Sequence, residues 1–557
     1  MYPKKELAQI VISACHQFKI DTVVISPGSR NAPLTVGFSN HPSINALSVV
    51  DERCAAFFAL GIAQQTQKPV AIVCTSGSAL LNYYPAVAEA FYSNIPLVVI
   101  SADRPKQLID IGDGQTIRQE NVFHNHILFS ANLIDDKTTK SARSNGVENT
   151  LLISEALQIA VSQKGPIHIN VPFDEPLYEA VDELKVFEFE NVIASETKQS
   201  FEIQKFSKIW NSSTKKMILI GVNTPDETLQ NLINLFIEDD SVIILTETTS
   251  NIASENTINA IDKLIFPLTD NEFSELKPEI LLTFGGMVVS KKIKQFLRKQ
   301  QPKHHWHVDE QRAMNTYHCL SEFIQEKPTV FLNELASVLK NSESNYQQNW
   351  LSLKSQRSEK HQHYLSKIEH SDLKVFERIL GSIPENTQLQ LGNSSVVRYA
   401  QLFDLKDSIR VFCNRGTSGI DGSTSTAIGA AFASNEQTVF ITGDLSFFYD
   451  SNALWNNYIP SSFRIIIINN NGGGIFRFIP GPKSTNALEY FETPHQLTAE
   501  HLCKMYQIEY NTAKSLEELS VVLIDFYHES NQPKLIEIFT DKEVNEKVLK
   551  EYFNFLK

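Results

Sequence analysis

The sequence predicts an α/β protein built from three doubly wound domains, each with a parallel sheet between layers of helices. The chain has 557 residues, which is too long for one hydrophobic core and is typical of several domains. Short β-branched runs alternate with helical stretches from end to end. These runs are continuously apolar rather than alternating, which is typical of strands buried on both faces of a parallel sheet.

Two polar stretches, at residues 179–200 and 341–363, divide the chain into three parts. We therefore predict domains at residues 1–180, 195–340 and 365–557. Each part carries buried strand-like runs, the clearest being residues 22–26, 70–74, 97–101 and 167–171 in the first, 217–221, 242–246, 280–284 and 305–308 in the second, and 389–392, 439–443, 464–469 and 535–539 in the third.

The overall charge and composition exclude several classes of protein. With 50 basic and 64 acidic residues the net charge is −14, which argues against a nucleic-acid-binding surface. No apolar run reaches the roughly 18 residues that suggest a membrane span. The first 18 residues resemble an amphipathic helix rather than a signal peptide. The six cysteines form no CxxC pair, and we expect a cytoplasmic protein with reduced thiols.

Two loops that follow predicted strands of the third domain contain candidate metal ligands. Residues 443–446 read Gly-Asp-Leu-Ser and residues 469–474 read Asn-Asn-Asn-Gly-Gly-Gly. Asp444 and Asn471 are 27 positions apart, and loops at the carboxyl ends of parallel strands can converge on a ligand. A carboxylate, an amide oxygen and the carbonyl of Gly473 form an oxygen site suited to Mg²⁺, or Mn²⁺, with positions left for phosphate oxygens. Either loop alone is equally typical of an ordinary turn.

Together these two loops resemble the thiamine-diphosphate signature that begins Gly-Asp and ends Asn-Asn, with Leu445 where the general pattern has glycine. Within that superfamily the chain resembles the MenD family of menaquinone-pathway synthases. The resemblance spans nearly the whole chain and is carried by residues 25–33 (ISPGSRNAP), 51–53 (DER), 101–105 (SADRP), 392–398 (GNSSVVR), 414–422 (NRGTSGIDG) and 443–446 (GDLS).

The resemblance implies the three-domain thiamine-diphosphate fold and one reaction. In that reaction 2-oxoglutarate is decarboxylated, and the resulting succinyl-semialdehyde carbanion adds in a 1,4 sense to isochorismate. The product is 2-succinyl-5-enolpyruvyl-6-hydroxy-3-cyclohexene-1-carboxylate. The resemblance further implies self-association into a dimer or tetramer, with the first domain of one subunit facing the third domain of another.

The resemblance also assigns catalytic roles. Glu52 matches the glutamate that activates the cofactor, for which a partly desolvated carboxyl group is suited; from spacing alone it is as well explained as a helix-N-terminal carboxylate. Ser29 and Arg30 match a pair at the substrate site. Gln115 matches a glutamine that contacts the reacting intermediate, although its neighbours Asp113 and Gly114 depart from the family pattern.

Further residues are assigned to the substrates and the cofactor. The two acids bring four carboxylates, so several fixed cations are expected. Arg104 has a structural alternative, an ion pair with Asp103 or another nearby acid, and Lys292 is as well explained as a solvated helical lysine. The substrate-binding set is Arg104, Lys292, Ser394, Arg398 and Arg415. The cofactor-binding set is Glu52, Gly416, Ile420, Gly443, Asp444, Leu445, Ser446, Asn471, Gly473, Ile475 and Phe476.

Two rival functions were weighed against this interpretation. The first is another thiamine enzyme, such as an acetolactate synthase or a 2-oxoacid decarboxylase. Arg30, Arg398 and Arg415 argue against small uncharged substrates. The second is a non-catalytic regulator or binding protein on the same fold, against which the joint presence of Glu52, Asp444 and Asn471 argues.

Overall fold

A computed structural model of the chain describes residues 1–135, 142–189, 202–479 and 481–557. These residues form three six-stranded sheets, parallel throughout and flanked by helices, and one two-stranded antiparallel pair. The predicted fold class of three doubly wound parallel sheets is confirmed. The domain boundaries given above stay a prediction. In the described part of the chain, no helix combines the length and the apolar character that a membrane crossing needs.

The first sheet has the strand order β3-β2-β4-β5-β7-β6, and β1 pairs separately with β8. The described strands of this part of the chain are β1 (Tyr2–Pro3), β2 (Thr22–Ile25), β3 (Asn45–Ser48), β4 (Val70–Cys74), β5 (Leu97–Asp103), β6 (Phe129–Asn132), β7 (Ile167–Pro172) and β8 (Ala180–Val181). The accompanying helices are α1 (Glu6–Gln17), α2 (Ala32–Asn40), α3 (Glu52–Thr66), α4 (Ser78–Asn82), α5 (Tyr84–Ser93) and α6 (Ala142–Gln163).

The second sheet has the order β11-β10-β9-β12-β13-β14. Its described strands are β9 (Lys216–Ile220), β10 (Val242–Leu245), β11 (Thr257–Ile258), β12 (Ile280–Phe284), β13 (His304–Val308) and β14 (Glu322–Ile324). The helices in this part are α7 (Ile203–Ser212), α8 (Glu227–Ile237), α9 (Ile261–Ile265), α10 (Asp270–Glu275), α11 (Lys291–Lys299), α12 (Pro328–Ala336) and α13 (Tyr346–Leu365).

The third sheet has the order β16-β15-β17-β18-β20-β19. Its described strands are β15 (Gln388–Leu391), β16 (Arg410–Cys413), β17 (Thr438–Gly443), β18 (Arg464–Asn469), β19 (Glu509–Ala513) and β20 (Lys534–Phe539). The helices are α14 (Asp372–Ser382), α15 (Ser395–Ala400), α16 (Ser423–Phe432), α17 (Asp444–Tyr449), α18 (Ala487–Glu492), α19 (Glu500–Met505), α20 (Leu516–Phe526) and α21 (Lys542–Phe555).

The strand orders show where each sheet can bind a ligand. The first and third sheets share one order, which reverses between β2 and β4 and between β15 and β17. Ligands of open parallel sheets bind beyond the strand ends at such a reversal. The central sheet reverses between β9 and β12, but there a Cβ on Gly221 would lie 1.9 Å from the Gly286 oxygen. The two backbones therefore touch at the central reversal. The predicted metal-binding loops follow strands of the third sheet, so the reversal of that sheet becomes the candidate site.

The two outer domains pack together through α3 and α16. A Cβ on Gly61 would lie 2.1 Å from the Thr426 oxygen, and one on Gly429 would lie 2.0 Å from the Phe58 oxygen. Glycine at these positions lets the two helix backbones touch. One hydrophobic cluster accordingly contains buried side chains of both domains, including Phe58 and Ile428.

Candidate active site

The Asp444 turn (residues 443–446) and the Asn471 loop (residues 469–474) meet at the carboxyl ends of β17 and β18. Asp444 begins α17 and is 3% exposed. Its Oδ1 accepts a hydrogen bond from the Leu445 amide at 2.7 Å, and its Oδ2 accepts one from the Gly472 amide at 2.9 Å. The buried carboxylate thus joins the two loops that the sequence singled out.

The backbone of the Asn471 loop is held by hydrogen bonds and includes two residues with positive φ. Asn471 has φ +62° and Gly472 has φ +144°, and the second value favours glycine. The Asn471 backbone amide donates to the Asn469 side chain at 3.0 Å, and the Asn471 side chain is exposed. The Gly473 amide donates to the Glu492 carbonyl at 2.7 Å. The Gly473 carbonyl accepts the Phe476 amide at 3.1 Å, which leaves its second lone pair for a cation. The Asn471 side chain is exposed, so its amide oxygen is accessible to the same cation.

Two side chains that the sequence did not single out surround Asp444. His495 Nε2 lies 3.3 Å from Asp444 Oδ2 without an aligned hydrogen bond, and its ring edge meets Phe448. Behind the turn, Asp372 accepts hydrogen bonds from Thr540 at 2.6 Å and from Asn470 at 3.2 Å. Burial, together with the nearby Asp444 charge, raises the pKa of Asp372 to about 6. A second acid behind Asp444 adds to the negative potential that attracts a cation.

The donor set fits a hard divalent ion bound together with a diphosphate. Within the described ranges no group of three or more His, Cys, Asp and Glu side chains could hold a metal, so a cation here would rely on one carboxylate, one amide oxygen and one carbonyl. Such a set leaves coordination positions for phosphate oxygens and water, as Mg²⁺ sites commonly do. A Cβ on Gly443 would meet nothing within 4 Å. The open space beside the backbone is consistent with close approach of a bulky ligand.

Beside this site, the loop after β15 positions the first of the candidate arginines. Asn393 is 2% exposed. Its Nδ2 donates to the carbonyls of Asn414 and Gly419, both at 2.7 Å, and its Oδ1 accepts from Arg415 Nη1 at 2.7 Å. Asn393 therefore orients the Arg415 loop (residues 414–420), a role that no single-residue pattern in the sequence revealed. The next residue, Ser394, has φ +72° and precedes α15.

Arg415 and Arg398 form a pair of like charges. Arg415 is 8% exposed and its Nε has no hydrogen-bond partner. Burial, then repulsion by Arg415, lowers the pKa of the half-buried Arg398. Two close, poorly hydrated guanidinium groups form a site that favours a carboxylate ligand.

Two buried acids of the central domain face these arginines. Glu247 accepts from the amides of Val289 at 2.6 Å and Ser290 at 2.7 Å. Burial raises the pKa of Glu247 to about 7, against the opposing effect of those two amides and of Arg415. Burial also raises the pKa of Asp262, which lies within electrostatic range of Arg398 and Lys292. The central domain thereby contributes charge to the arginine pair.

Lys292 itself lies in α11, with its ammonium group 5.1 Å from the ring centroid of Phe266 and 5.9 Å from that of Phe273. Cation–π contacts of this kind restrain a lysine that would otherwise be solvated. The Asp262 carboxylate interacts electrostatically with both Lys292 and Arg398. Lys292 therefore belongs to the same charged cluster as the arginine pair.

A second group of predicted residues converges in the first domain. Arg104 Nη1 donates to Ser76 Oγ at 2.8 Å and to the Gln115 carbonyl at 2.9 Å. Its Nε lies 2.8 Å from Asp113 Oδ2, although the N–H does not point at that oxygen. The residue that departs from the family pattern, Asp113, is thus an ion-pair partner of Arg104. Asp103 accepts the backbone amide of Arg104 at 2.8 Å and the side-chain amide of Asn170 at 2.9 Å.

Arg30 lies close to this group. Its Nη1 donates to the Phe173 carbonyl at 3.0 Å and lies 3.4 Å from the Glu175 carboxylate. Burial, then repulsion by Arg104, lowers the pKa of Arg30. Ser29 and Gln115 are both exposed, and Gln115 has φ +57°. This group lines the surface of the first domain at the carboxyl ends of its strands.

Glu52 is the first residue of α3, between two residues that contact the third domain of the same chain. Asp51 caps the helix by accepting from the Cys54 amide, and it also accepts from Asn452 at 2.9 Å. Arg53 donates to the Tyr449 carbonyl at 3.1 Å. The Glu52 charge acts on the buried Cys74 and Tyr83.

Within the described residues, no hydrogen bond or ion pair joins Glu52 to the Asp444 turn or the Asn471 loop. Among the described residues, the contacts between the first and third domains at this point come from Asp51 and Arg53, the neighbours of Glu52, and not from Glu52 itself.

The remaining cofactor candidates surround the Asp444 turn and the Arg415 loop. Ser446 Oγ donates to the Ile420 carbonyl at 3.2 Å, which joins those two segments. Phe476 packs against Phe491 with ring centroids 5.2 Å apart, and Ile475 precedes it in the same 3₁₀ turn. The Gly416 amide is bonded to Glu89 of the first domain, a contact that local sequence patterns do not signal.

Comparison with known proteins identifies the family. Three family models match: the N-terminal thiamine pyrophosphate binding domain at residues 5–130, the middle domain of thiamine pyrophosphate enzymes at 191–391, and the C-terminal thiamine pyrophosphate binding domain at 391–538. Curated 2-succinyl-5-enolpyruvyl-6-hydroxy-3-cyclohexene-1-carboxylate synthases are 54% identical in Flavobacterium johnsoniae, 53% in Flavobacterium psychrophilum and 52% in Christiangramia forsetii. Each match covers 100% of both chains. The chain belongs to the MenD family.

Membership of the MenD family confirms the resemblance found in the sequence and makes the chain a thiamine-diphosphate-dependent enzyme. The individual site residues, the metal and the oligomeric state remain predictions. Among the residues that sequence reasoning missed, Asn393 lay within a quoted motif, whereas His495, Glu247 and Asp262 lay in no motif at all. Their contacts with the site arise from packing between distant segments.

Proposed function

We propose that this chain decarboxylates 2-oxoglutarate and adds the four-carbon fragment to isochorismate, forming 2-succinyl-5-enolpyruvyl-6-hydroxy-3-cyclohexene-1-carboxylate for menaquinone biosynthesis. Its full-length relatives carry the name of this synthase. The structural observation that supports the substrate class is the pair Arg398 and Arg415, two partly desolvated cations at the reversal of the third sheet. Such a pair suits acids that keep a carboxylate throughout the reaction.

Asp444, Asn471 and the Gly473 carbonyl would hold Mg²⁺ or Mn²⁺, and through it the diphosphate. When bound, thiamine diphosphate supplies a carbon centre that accepts the electron pair released with CO₂ and passes it to the ring of isochorismate. Glu52 holds a proton for the pyrimidine ring of the cofactor. Ile420, Ile475 and Phe476 exclude water around the reacting centre, which favours loss of charge separation.

The arginines and Lys292 bind and orient the acids. Arg398 and Arg415 approach one carboxylate from the third domain, and Lys292 adds a charge from the central domain. Arg30 and Arg104 act from the first domain, with Ser29 and Gln115 beside the reacting carbon. Ser394, at the start of α15, completes the polar lining near Arg398.

We also propose that two copies of the chain share each site. The contacts of Asp51 and Arg53 with Asn452 and Tyr449 fix the Glu52 helix on its own third domain. Large apolar side chains are exposed around these contacts, namely Val50 at 38%, Leu81 at 43%, Tyr449 at 56% and Trp455 at 54%. An exposed apolar patch beside a half-formed site is typical of a subunit interface. The six unpaired cysteines support a cytoplasmic location.

The assignment is tested by supplying the purified protein with thiamine diphosphate, Mg²⁺, 2-oxoglutarate and isochorismate. We expect the isochorismate absorbance to decay only when all four are present, and chelation of the metal to stop the decay. Turnover of pyruvate alone, with no decay of isochorismate, would instead identify another thiamine enzyme.

Replacing Arg398 by lysine should raise the KM for at least one of the two acids. Lysine keeps the charge but loses the planar pair of donors, and one charge-assisted hydrogen bond corresponds to roughly 1.5–3 kcal/mol, or about a tenfold to hundredfold rise in KM. Arg410→Lys is the matched control, because that arginine pairs with Glu436 at the surface. An unchanged KM for both acids in the Arg398 variant would remove this residue from the substrate site.

A further inference from the structure

Glu89, in α5 of the first domain, has a carboxylate whose hydrogen bonds come mainly from the third domain. The residue is 1% exposed. Oε1 accepts from the Gly416 amide at 2.7 Å, and Oε2 accepts from the Thr417 amide at 2.6 Å and the Thr417 hydroxyl at 2.8 Å. Ser93, one helical turn away, donates to Oε1 at 2.8 Å. Three charge-assisted bonds therefore join this carboxylate to the Arg415 loop.

The loop approaches Glu89 so closely that only glycine fits at position 416. A Cβ there would lie 2.6 Å from the Glu89 carbonyl oxygen and 2.7 Å from Ser93 Oγ. On its other side, the loop is held by Asn393 through the carbonyls of Asn414 and Gly419. Its N–H groups are thus fixed by the first domain and its carbonyls by the third.

The domains do not need Glu89 in order to pack together. The backbone contacts of α3 with α16, at Gly61 and Gly429, already join the first and third domains over a buried hydrophobic cluster. The hydrogen bonds that Glu89 accepts from the third domain come only from Gly416 and Thr417 among the described residues. These two residues follow Arg415 directly and precede Ile420. Their position indicates a role in shaping the loop.

Arg415 depends on that loop for its orientation. Its side chain is buried, Nη1 donates to Asn393, and Nε has no hydrogen-bond partner among the described residues. Because few hydrogen bonds fix this guanidinium, its position depends on the backbone conformation of the Arg415 loop. A shift of about 1 Å in a substrate-orienting group can cost a hundredfold in rate.

We propose that Glu89 is a positioning residue: it sets the conformation of the Arg415 loop and so places the Arg415 guanidinium for the acid substrate. This inference rests on the proposed function for its kinetic consequence. The structural part, that Glu89 protects and orders residues 414–420, stands without it.

The test compares Glu89→Gln with Ser93→Ala. Glutamine has the same size, but its amide nitrogen cannot accept, so at least one loop N–H loses its partner. Ser93→Ala removes a bond to the same carboxylate and leaves all three loop bonds. We expect amide hydrogen exchange in a peptide covering residues 414–420 to be at least tenfold faster in E89Q than in the wild type, and unchanged in S93A. Unchanged exchange in E89Q would overturn the inference even if the enzyme proved to have another substrate.

The kinetic arm uses the double variant Glu89→Gln with Arg415→Lys. In E89Q alone, we expect the KM for at least one acid to rise about tenfold with a smaller change in kcat. If Glu89 acts through Arg415, E89Q should add less than twofold to the KM of R415K, because coupled residues are not additive. Fully multiplicative effects would show that Glu89 acts elsewhere.

Thr417→Val keeps the test decisive if E89Q fails to fold. It removes one of the three loop bonds and leaves the buried carboxylate with its other donors. We expect a smaller increase in exchange of residues 414–420 and a KM rise for the same acid. An unchanged loop and an unchanged KM in this variant would count against the proposal.

Discussion

Replacing Glu52 by glutamine should leave cofactor binding intact and lower turnover roughly a hundredfold to ten-thousandfold, the usual contribution of a general acid–base group. Glutamine preserves the size of the side chain and the start of α3, where Asp51 provides the cap. It cannot exchange a proton with the pyrimidine ring. The measurement is kcat with both acids saturating, together with calorimetric titration of thiamine diphosphate in the presence of Mg²⁺.

The matched control for this variant is Asp444→Asn, which should have the opposite profile. Asp444 bonds to the Leu445 and Gly472 amides and would supply the only carboxylate to the metal. We therefore expect weakened binding of metal and cofactor, with activity partly recovered at high Mg²⁺. Normal turnover by the Glu52 variant would show that another group activates the cofactor.

The second large effect concerns two inactive variants that restore activity in each other's presence. If each site takes Glu52 from one chain and Asp444 from another, co-expressed E52Q and D444N chains should recover about a quarter of the wild-type sites, whether the assembly is a dimer or a tetramer. The physical reason is that a random pairing has one chance in four of combining an intact Glu52 with an intact Asp444. The measurement is the specific activity of the whole co-expressed population, purified through one tag that both chains carry so that mixed and unmixed assemblies are all retained.

A chain carrying both substitutions, co-expressed with the wild type, is the control. Sites shared between chains predict about a quarter of full activity in this mixture, whereas sites within one chain predict about half. Sites within one chain also predict no recovery from the two single variants. The pair of mixtures thus distinguishes the two arrangements regardless of how stable each variant is.

Local sequence patterns were sufficient to predict the fold class and to single out the Asp444 turn and the Asn471 loop, whose role in metal binding stays a prediction. Continuous apolar runs predicted buried parallel strands, and the described residues form three such sheets. The Asp444 turn and the Asn471 loop were found because turn residues follow a strand directly in the sequence. Leu445, the departure from the general signature, contributes its backbone amide to Asp444, and a backbone contact of this kind does not require glycine.

Those local patterns did not predict the order of the strands within each sheet. Hydrophobic periodicity identifies a strand but not its neighbours, so the difference between the central sheet and the two outer sheets came only from the structure. The central sheet reverses between β9 and β12, whereas the two outer sheets share another order and reverse between β2 and β4 and between β15 and β17.

What the sequence determined by itself is the family, and it predicted the chemistry available: a pair of metal-binding loops, an activating glutamate and a set of arginines. Only the tertiary structure decided how those groups are held. Glu89 is 327 positions from Gly416, and Glu247 reaches the arginine pair from another domain. Periodicity and turn chemistry act over a few residues, whereas these carboxylates bind N–H groups and charges that folding alone brings together.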